Sequence, residues 1–228
     1  MTDLLTHLRK YNLFQDLPES DLRGLAENSK WKTFKKNETI FEKGGAALAV
    51  YIVGFGAVKL VQFLSNGDEV IIHLIPPGEL FAGMIVMRGK EAKYPLTAVA
   101  LEDSGTIEVN SNYFRVLVSS KGALGTRLIQ MVSQRMLDHH SEKSVSRGTV
   151  AQRIAEFLLR TLENQPKEMG HQIMLRLTRQ DIANATGTSV ETVIRILSQW
   201  TQDRLILTKS QHIEILQINM LKQILEND

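Results

Sequence analysis

The stretch from Leu177 to Trp200, LTRQDIANATGTSVETVIRILSQW, leaves little freedom of local structure. Thr178 is a good helix N-cap, and Asp181 stands three residues on, as a near relative of the capping box. Ile182 and Ala185 then face inward, and the small Ala183 lets a second helix come close. Gly187 ends the first helix where a left-handed residue costs least. Ser189 caps the next. Val193, Ile196, Leu197 and Trp200 follow at i, i+3, i+4 and i+7, which makes one buried stripe. The opposite face carries Val190, Glu191, Ile194, Arg195 and Ser198.

That opposite face has a chemistry of its own. Glu191 and Arg195 lie one helical turn apart and point the same way. An arginine can grip guanine O6 and N7 with two hydrogen bonds, and a glutamate can accept from cytosine N4. Val190 and Ile194 are apolar where a helix should meet water, and a thymine methyl would suit them. Two capped helices, a glycine turn and such a face spell a helix-turn-helix whose second helix enters the DNA major groove. The competing reading is a solvated helix with an internal Glu–Arg pair.

The string TRQDIANATGTSVETVIRIL resembles the DNA-binding motif of the cyclic-AMP receptor protein and Fnr-type (Crp/Fnr) transcription regulators. The resemblance implies that Glu191 and Arg195 read a G·C step in each half-site. It further implies a homodimer on an inverted repeat of double-stranded DNA, with RNA polymerase as a partner. An arginine at the position of Val190 marks the cyclic-AMP branch. Val-Glu-Thr is similar to the Fnr branch, whose half-site is TTGA-type, although Ile194 replaces a small polar residue there. Thr178, Arg179, Ser189 and Thr192, with helix-end amides, are the candidates for phosphate contact.

Composition limits the other classes. A chain of 228 residues with 43% hydrophobic content supports two packed domains. With no cysteine there is no disulfide, no thiol catalysis and no Cys-ligated iron–sulfur cluster. No apolar run approaches the roughly 18 residues of a membrane span. The N-terminus MTDLLTHLRKYNLF lacks the apolar core of a signal peptide, which fits a cytoplasmic protein. No Ser-His-acid arrangement, phosphate loop or HExxH motif supports an enzyme. His7 and His73 each stand alone, and the adjacent His139 and His140 would point apart on a helix, so no metal site is expected. From Thr149 onward nine Lys/Arg face nine Asp/Glu, so the DNA reading rests on where the basic residues sit.

Upstream of the motif the periodicity is different. Residues 4–28 read as mostly helical, with a break near Leu17-Pro18. From Trp31 the pattern becomes strand-like, with Thr39–Glu42, Ala49–Val53, Val58–Phe63 and Val70–Ile75 separated by turn signals, among them the hairpin cue Asn66-Gly67. Strands near Leu96–Leu101 and Thr106–Val109, and a helix over 111–119, follow. Short strands at regular spacing mean a sandwich or roll rather than βαβ units. The segment Pro77 to Gly83 resembles the family's phosphate-binding cassette, but Gly83 occupies the place of its ribose-binding glutamate, and Lys93-Tyr94-Pro95 replaces its arginine fork. The cyclic phosphate thereby loses its bidentate partner, and cyclic AMP is not the expected effector. Phe81, Gly83, Met84, Lys93, Tyr94 and Thr97 are the candidate lining of a pocket for another ligand, with haem or a small molecule as compatible occupants. Ordinary core packing is the alternative for the same segment.

Leu124 to about Lys143 reads as one long helix with the stripe Leu124, Leu128, Met131, Val132 and Met136 and with Ile129 beside it. The resemblance implies that this helix pairs with its twin as a dimerisation seam, and a helix packed only on its own β-roll is the alternative. Ser141–Thr149, with Gly148, reads as a hinge, and Asn164–His171 as a polar loop that could touch polymerase. A helix over Val150–Leu162, a strand over Ile173–Leu175, a hairpin of Leu205–Thr208 and Ile213–Leu216, and a closing helix over Asn219–Leu225 complete a winged unit. The expected fold is α+β: a β-roll of the cyclic-nucleotide-binding jelly-roll type over residues 1–120, a dimerisation helix and hinge over 121–148, and a winged helix-turn-helix over 149–228. A cyclic-nucleotide-binding protein acting through protein partners is the alternative function.

Overall fold

The computed structural model describes residues 2–145, 148–163, 172–173, 176–209 and 212–226, with side chains for all of these except 2, 3 and 134–145. The chain forms two compact units, Met1–Leu60 with Ile75–Leu137, and Val61–Leu74 with Asp138–Asp228.

In the first unit α1 (Thr2–Leu8), a 3-10 turn at Asn12–Phe14 and α2 (Glu19–Glu27) lead into β1 (Ser29–Phe34). In chain order there follow β2 (Thr39–Phe41), β3 (Ala49–Phe55), β4 (Val58–Phe63), β5 (Glu69–Ile75), β6 (Leu80–Phe81), α3 (Gly83–Met87), β7 (Thr97–Ala100) and β8 (Ser104–Asn110), of which the end of β4 and nearly all of β5 fall in the segment Val61–Leu74 of the second unit. The strands make two four-stranded sheets, ordered β1-β8-β3-β6 and β2-β7-β4-β5. Ala49 to Val53 is buried residue by residue, as an unbroken apolar strand must be when both sheet faces are covered. A bulge between Val53 and Phe55 bends β3 at Gly54. The Trp31 ring occupies the space beside it. A Cβ on Gly54 would fall 2.3 Å from the indole, and one on Gly105 2.7 Å from it. His7 and Phe55 flank the same indole at ring separations of 5.4 and 6.0 Å.

The helix α4 (Ser111–Ser120) starts at Asn110, whose side chain accepts from the amides of Asn112 and Tyr113. It is followed by α5 (Gly122–Val145). This helix continues through Val145, so the segment expected as a hinge from Ser141 begins within it. The α5 stripe also differs from expectation. Leu124 and Leu128 are buried in the unit's own core, Met131 packs at its edge, and Val132 is half-buried. Among its described side chains, Leu124 and Leu128 face the β-roll core and the large exposed apolar one is Ile129, at 64%. The side chain of Met136 lies outside the described residues, as do those of His139 and His140.

The second unit contains α6 (Val150–Glu163), β9 (Gln172–Ile173), α7 (Arg179–Thr186), α8 (Val190–Gln202), β10 (Ile206–Lys209), β11 (His212–Ile215) and α9 (Ile218–Glu226). The sheet order is β10-β11-β9, a hairpin with a short third strand. Leu175, expected to end that third strand, lies outside the described residues, as does the loop 164–171. Leu158, Ile173, Ile182, Val193, Ile213 and Leu221 contribute to its buried core.

Candidate nucleic-acid interface

Local chemistry builds both helices of the motif. At α7 the Thr178 hydroxyl accepts from the Asp181 amide at 3.0 Å, and the Asp181 carboxylate accepts from the Thr178 amide at 3.0 Å, so two orphan donors are satisfied reciprocally. The helix stops at Gly187, whose φ of 61° is left-handed. Asp181, Ile182, Ala183 and Thr186 are the buried positions of α7, while Ala185, expected inward, is half-buried.

The helix α8 holds many β-branched residues, each about 0.5 kcal/mol worse than alanine in a helix. Two larger effects outweigh this. Ser189 caps the helix, accepting from the Thr192 amide at 3.3 Å, and a cap of this kind contributes about 1 kcal/mol. Val193, Ile196, Leu197 and Trp200 are buried, at about 1.5–3 kcal/mol for each Val- or Leu-sized side chain. The helix ends in a Schellman arrangement: Leu205 N–H reaches Trp200 C=O at 2.8 Å and Arg204 N–H reaches Thr201 C=O at 3.2 Å, with Arg204 left-handed at φ 55°.

The opposite face of α8 is open. Glu191, Arg195 and Ser198 are exposed, Ile194 is 48% exposed, and Val190 and Thr192 are half-buried. Ser189 is exposed as well, and its hydroxyl lies 3.1 Å from that of Thr192. Thr178 and Arg179 sit half-buried at the start of α7. Burial pushes the Arg179 guanidinium below its ordinary pKa, an environment in which a phosphate would restore the lost solvation. All eight expected DNA-contact residues thus fall on α7 and α8 or their caps. Sequence reading passed over Arg153 of α6. Its Nε donates to Thr186 C=O at 2.9 Å, and one terminal nitrogen donates to Gly148 C=O at 3.0 Å.

The candidate effector lining divides. Phe81, Gly83, Tyr94 and Thr97 are buried. Phe41 stacks on Tyr94 at 3.8 Å, and Tyr51 stacks on Phe81 at 5.2 Å. The Tyr94 hydroxyl donates to Ala49 C=O at 2.8 Å and accepts from its N–H at 3.2 Å. Burial raises the pKa of both Tyr51 and Tyr94, so they stay neutral. Thr97 accepts from the Lys43 amide at 3.1 Å. Met84 is 43% exposed and Lys93 is exposed, so neither joins these rings. Phe81 and Tyr94 of the segment thus pack into a cluster of rings with Phe41 and Tyr51. A Cβ on Gly83 would fall 2.6 Å from a Leu80 methyl and 3.6 Å from one of Leu128. Among the described residues no cluster of three or more potential metal ligands occurs, and no helix is long and apolar enough to cross a membrane.

A capped helix pair with a polar outer face, followed by a hairpin and preceded by a β-roll, defines the winged helix-turn-helix regulators. Comparison with known proteins agrees. Residues 152–224 match the family model of the Crp-like helix-turn-helix domain, and residues 31–121 match that of the cyclic nucleotide-binding domain. The transcriptional activator protein Anr of Pseudomonas protegens is 28% identical over 81% of this chain and 76% of its own length. The transcriptional regulatory protein btr of Bordetella pertussis is 27% identical over 92% of this chain and 87% of its own. The solved structure of FixK2 from Bradyrhizobium japonicum superposes with a TM-score of 0.75 at 24% identity, covering 86% of this chain and 96% of that one, which establishes the fold. The chain belongs to the Crp/Fnr family of transcription regulators. It is accordingly a DNA-binding regulator and not an enzyme.

Proposed function

We propose that the protein works as a homodimer that places α8 of each subunit in successive major grooves of a palindromic TTGA-type site. The observation that carries this is the one-sided burial of α8. Val193, Ile196, Leu197 and Trp200 hold the helix to its unit, while Glu191 and Arg195 remain exposed one turn apart. Arg195 and Glu191 read base edges, Val190 and Ile194 meet thymine methyls, and Thr178, Arg179, Ser189 and Thr192 hold phosphates. Two-fold symmetry spaces the half-site centres about 34 Å apart, one turn of DNA.

Residues 1–120 act as the sensor, 121–148 as the dimerisation helix and hinge, and 149–228 as the DNA-binding part. The pairing seam runs along the side of α5 that bears Ile129 and Val132 rather than through Leu124 and Leu128. RNA polymerase is the downstream partner, as the relationship to family activators suggests. The effector is not cyclic AMP: Gly83 offers no ribose acceptor, and Lys93 stands in solvent.

Selection of bound sequences from a random DNA pool tests the assignment. The expected product is an inverted repeat with TTGA-type halves; a TGTGA preference, or no palindrome, overturns it. In a gel shift Arg195→Ala should weaken specific binding by about 1–3 kcal/mol, roughly 5- to 150-fold. Its thermal midpoint should not move, because the side chain is exposed.

A further inference from the structure

Arg153 connects two points far apart in sequence. Gly148 immediately precedes Thr149, the cap residue of α6, and Thr186 is the last residue of α7, immediately before the turn. The half-buried guanidinium donates to both carbonyls, at 3.0 and 2.9 Å. The Thr186 carbonyl is one of the four that a helix end leaves without a partner in the helix. A cation there is also favoured by the helix dipole. The planar fork of arginine holds two acceptors in one fixed geometry, which the single nitrogen of lysine does not.

The backbone beyond Gly148 is fixed as well. The Thr149 hydroxyl accepts from the Gln152 amide at 3.2 Å, and the Thr149 amide donates to the Gln152 side chain at 2.6 Å. This reciprocal cap starts α6 rigidly at the next residue. Freedom of rotation therefore ends at the Gly148 carbonyl, which is the atom Arg153 grips. The other end of the grip is the turn that aims α8.

We propose that Arg153 is the positioning residue for the recognition helix. It ties the backbone that enters the DNA-binding unit to the helix-turn-helix turn, so that rotation at the hinge is delivered to α8 without slack. The inference rests on the reading of this chain as a dimer on a palindrome. With the link in place the two α8 helices of a dimer hold one separation; without it each finds its half-site independently. Loss of Arg153 then changes the tolerance for half-site spacing, which a purely stabilising side chain would leave alone.

The test measures fluorescence anisotropy of the full-length protein on a series of operators. Their half-sites stand at the optimal spacing and at one or two base pairs more or fewer. Wild type should show a sharp optimum. Arg153→Ala should lose roughly 2- to 30-fold at the optimal spacing and far less at the others, flattening the profile. Arg153→Lys keeps the charge and stem but bonds one carbonyl at a time, and should flatten it too. If Arg153→Ala does not fold, as judged by circular dichroism, the lysine variant carries the test. A profile as sharp as wild type in the folded variants overturns the proposal, whatever the absolute affinity. If wild type itself has no spacing optimum, the dimer-on-palindrome reading falls and takes this proposal with it. That outcome is distinguishable because it does not involve Arg153.

Discussion

A methyl of Leu80 lies 2.6 Å from the point where Gly83 would carry a side chain. Leu80 is itself buried, and Leu128 of α5 stands 3.6 Å from the same point. The position at which the sequence resemblance looks for a carboxylate is thus one that the Leu80 side chain already crowds. Calorimetry with cyclic AMP should give no binding heat at millimolar ligand. Gly83→Glu should not create a site. It should instead destabilise the unit by about 1–3 kcal/mol through overpacking, read as a lowered urea midpoint.

Ile129 is a large apolar side chain exposed on α5, and in the proposed dimer a second copy covers it. Ile129→Asp should convert the dimer to a monomer in sedimentation velocity and abolish palindrome binding. Leu124→Ala should act differently, lowering folding stability by about 2–5 kcal/mol because that side chain belongs to the unit's own core. A dimer that survives Ile129→Asp at micromolar concentration would place the seam elsewhere.

Three described residues with a Cβ hold left-handed backbone: Asn37, φ 65°, an asparagine that tolerates it, Ala82, φ 64°, between β6 and α3, and Arg204, φ 55°, at the end of α8. The left-handed conformation costs a residue with a Cβ about 1–2 kcal/mol. Ala82→Gly and Arg204→Gly should each raise the thermal midpoint, reduced somewhat by the extra chain entropy glycine loses on folding. Gly187→Ala should do the reverse: its φ is 61°, although a Cβ there would meet no atom within 4 Å. A neutral result at Gly187 would mean that the turn relaxes freely.

Partial burial raises the carboxyl of Glu156 above its ordinary 4.5. Between that value and the raised one the folded chain holds a proton that the unfolded chain has released. Stability therefore falls as pH rises through this window, and the penalty is complete above it. Glu156→Gln should be more stable than wild type at neutral pH, and the two should converge below the unfolded value. Parallel urea titrations from pH 4 to pH 7.5 read this directly. An offset that does not change with pH would assign the effect to something other than ionisation.

What the sequence discloses depends on how local the cause is. The helix-turn-helix is readable because Thr178, Asp181, Gly187 and Ser189 act on backbone within three residues of themselves. The strands β1 to β5 are readable from alternation and turn residues. In contrast, β6 is two residues long and exists because Tyr51 and Ile52 pair with Phe81 and Leu80. No pattern of two residues announces that, and α3 then starts from a left-handed alanine that carries no cue. The stripe on α5 identifies an apolar face but not what covers it, so Leu124 and Leu128 pass for a subunit seam when they are core. The effector segment has the same non-local character. Which of its residues stack on Phe41 and Tyr51 is decided by distant strands. Arg153 is invisible to motif reading because both of its acceptors are backbone carbonyls, which have no sequence signature.

The chain has two tryptophans, and they fall in different units: Trp31 beneath His7 and Phe55, and Trp200 on the buried side of α8. Replacing either one leaves a single tryptophan, so with excitation beyond the tyrosine band the melting of each half can be followed by its own light without any attached dye. Trp200 sits just beyond Arg195 on the same helix, and its emission would report in real time whether occupancy of the operator tightens or loosens the packing behind the reading face.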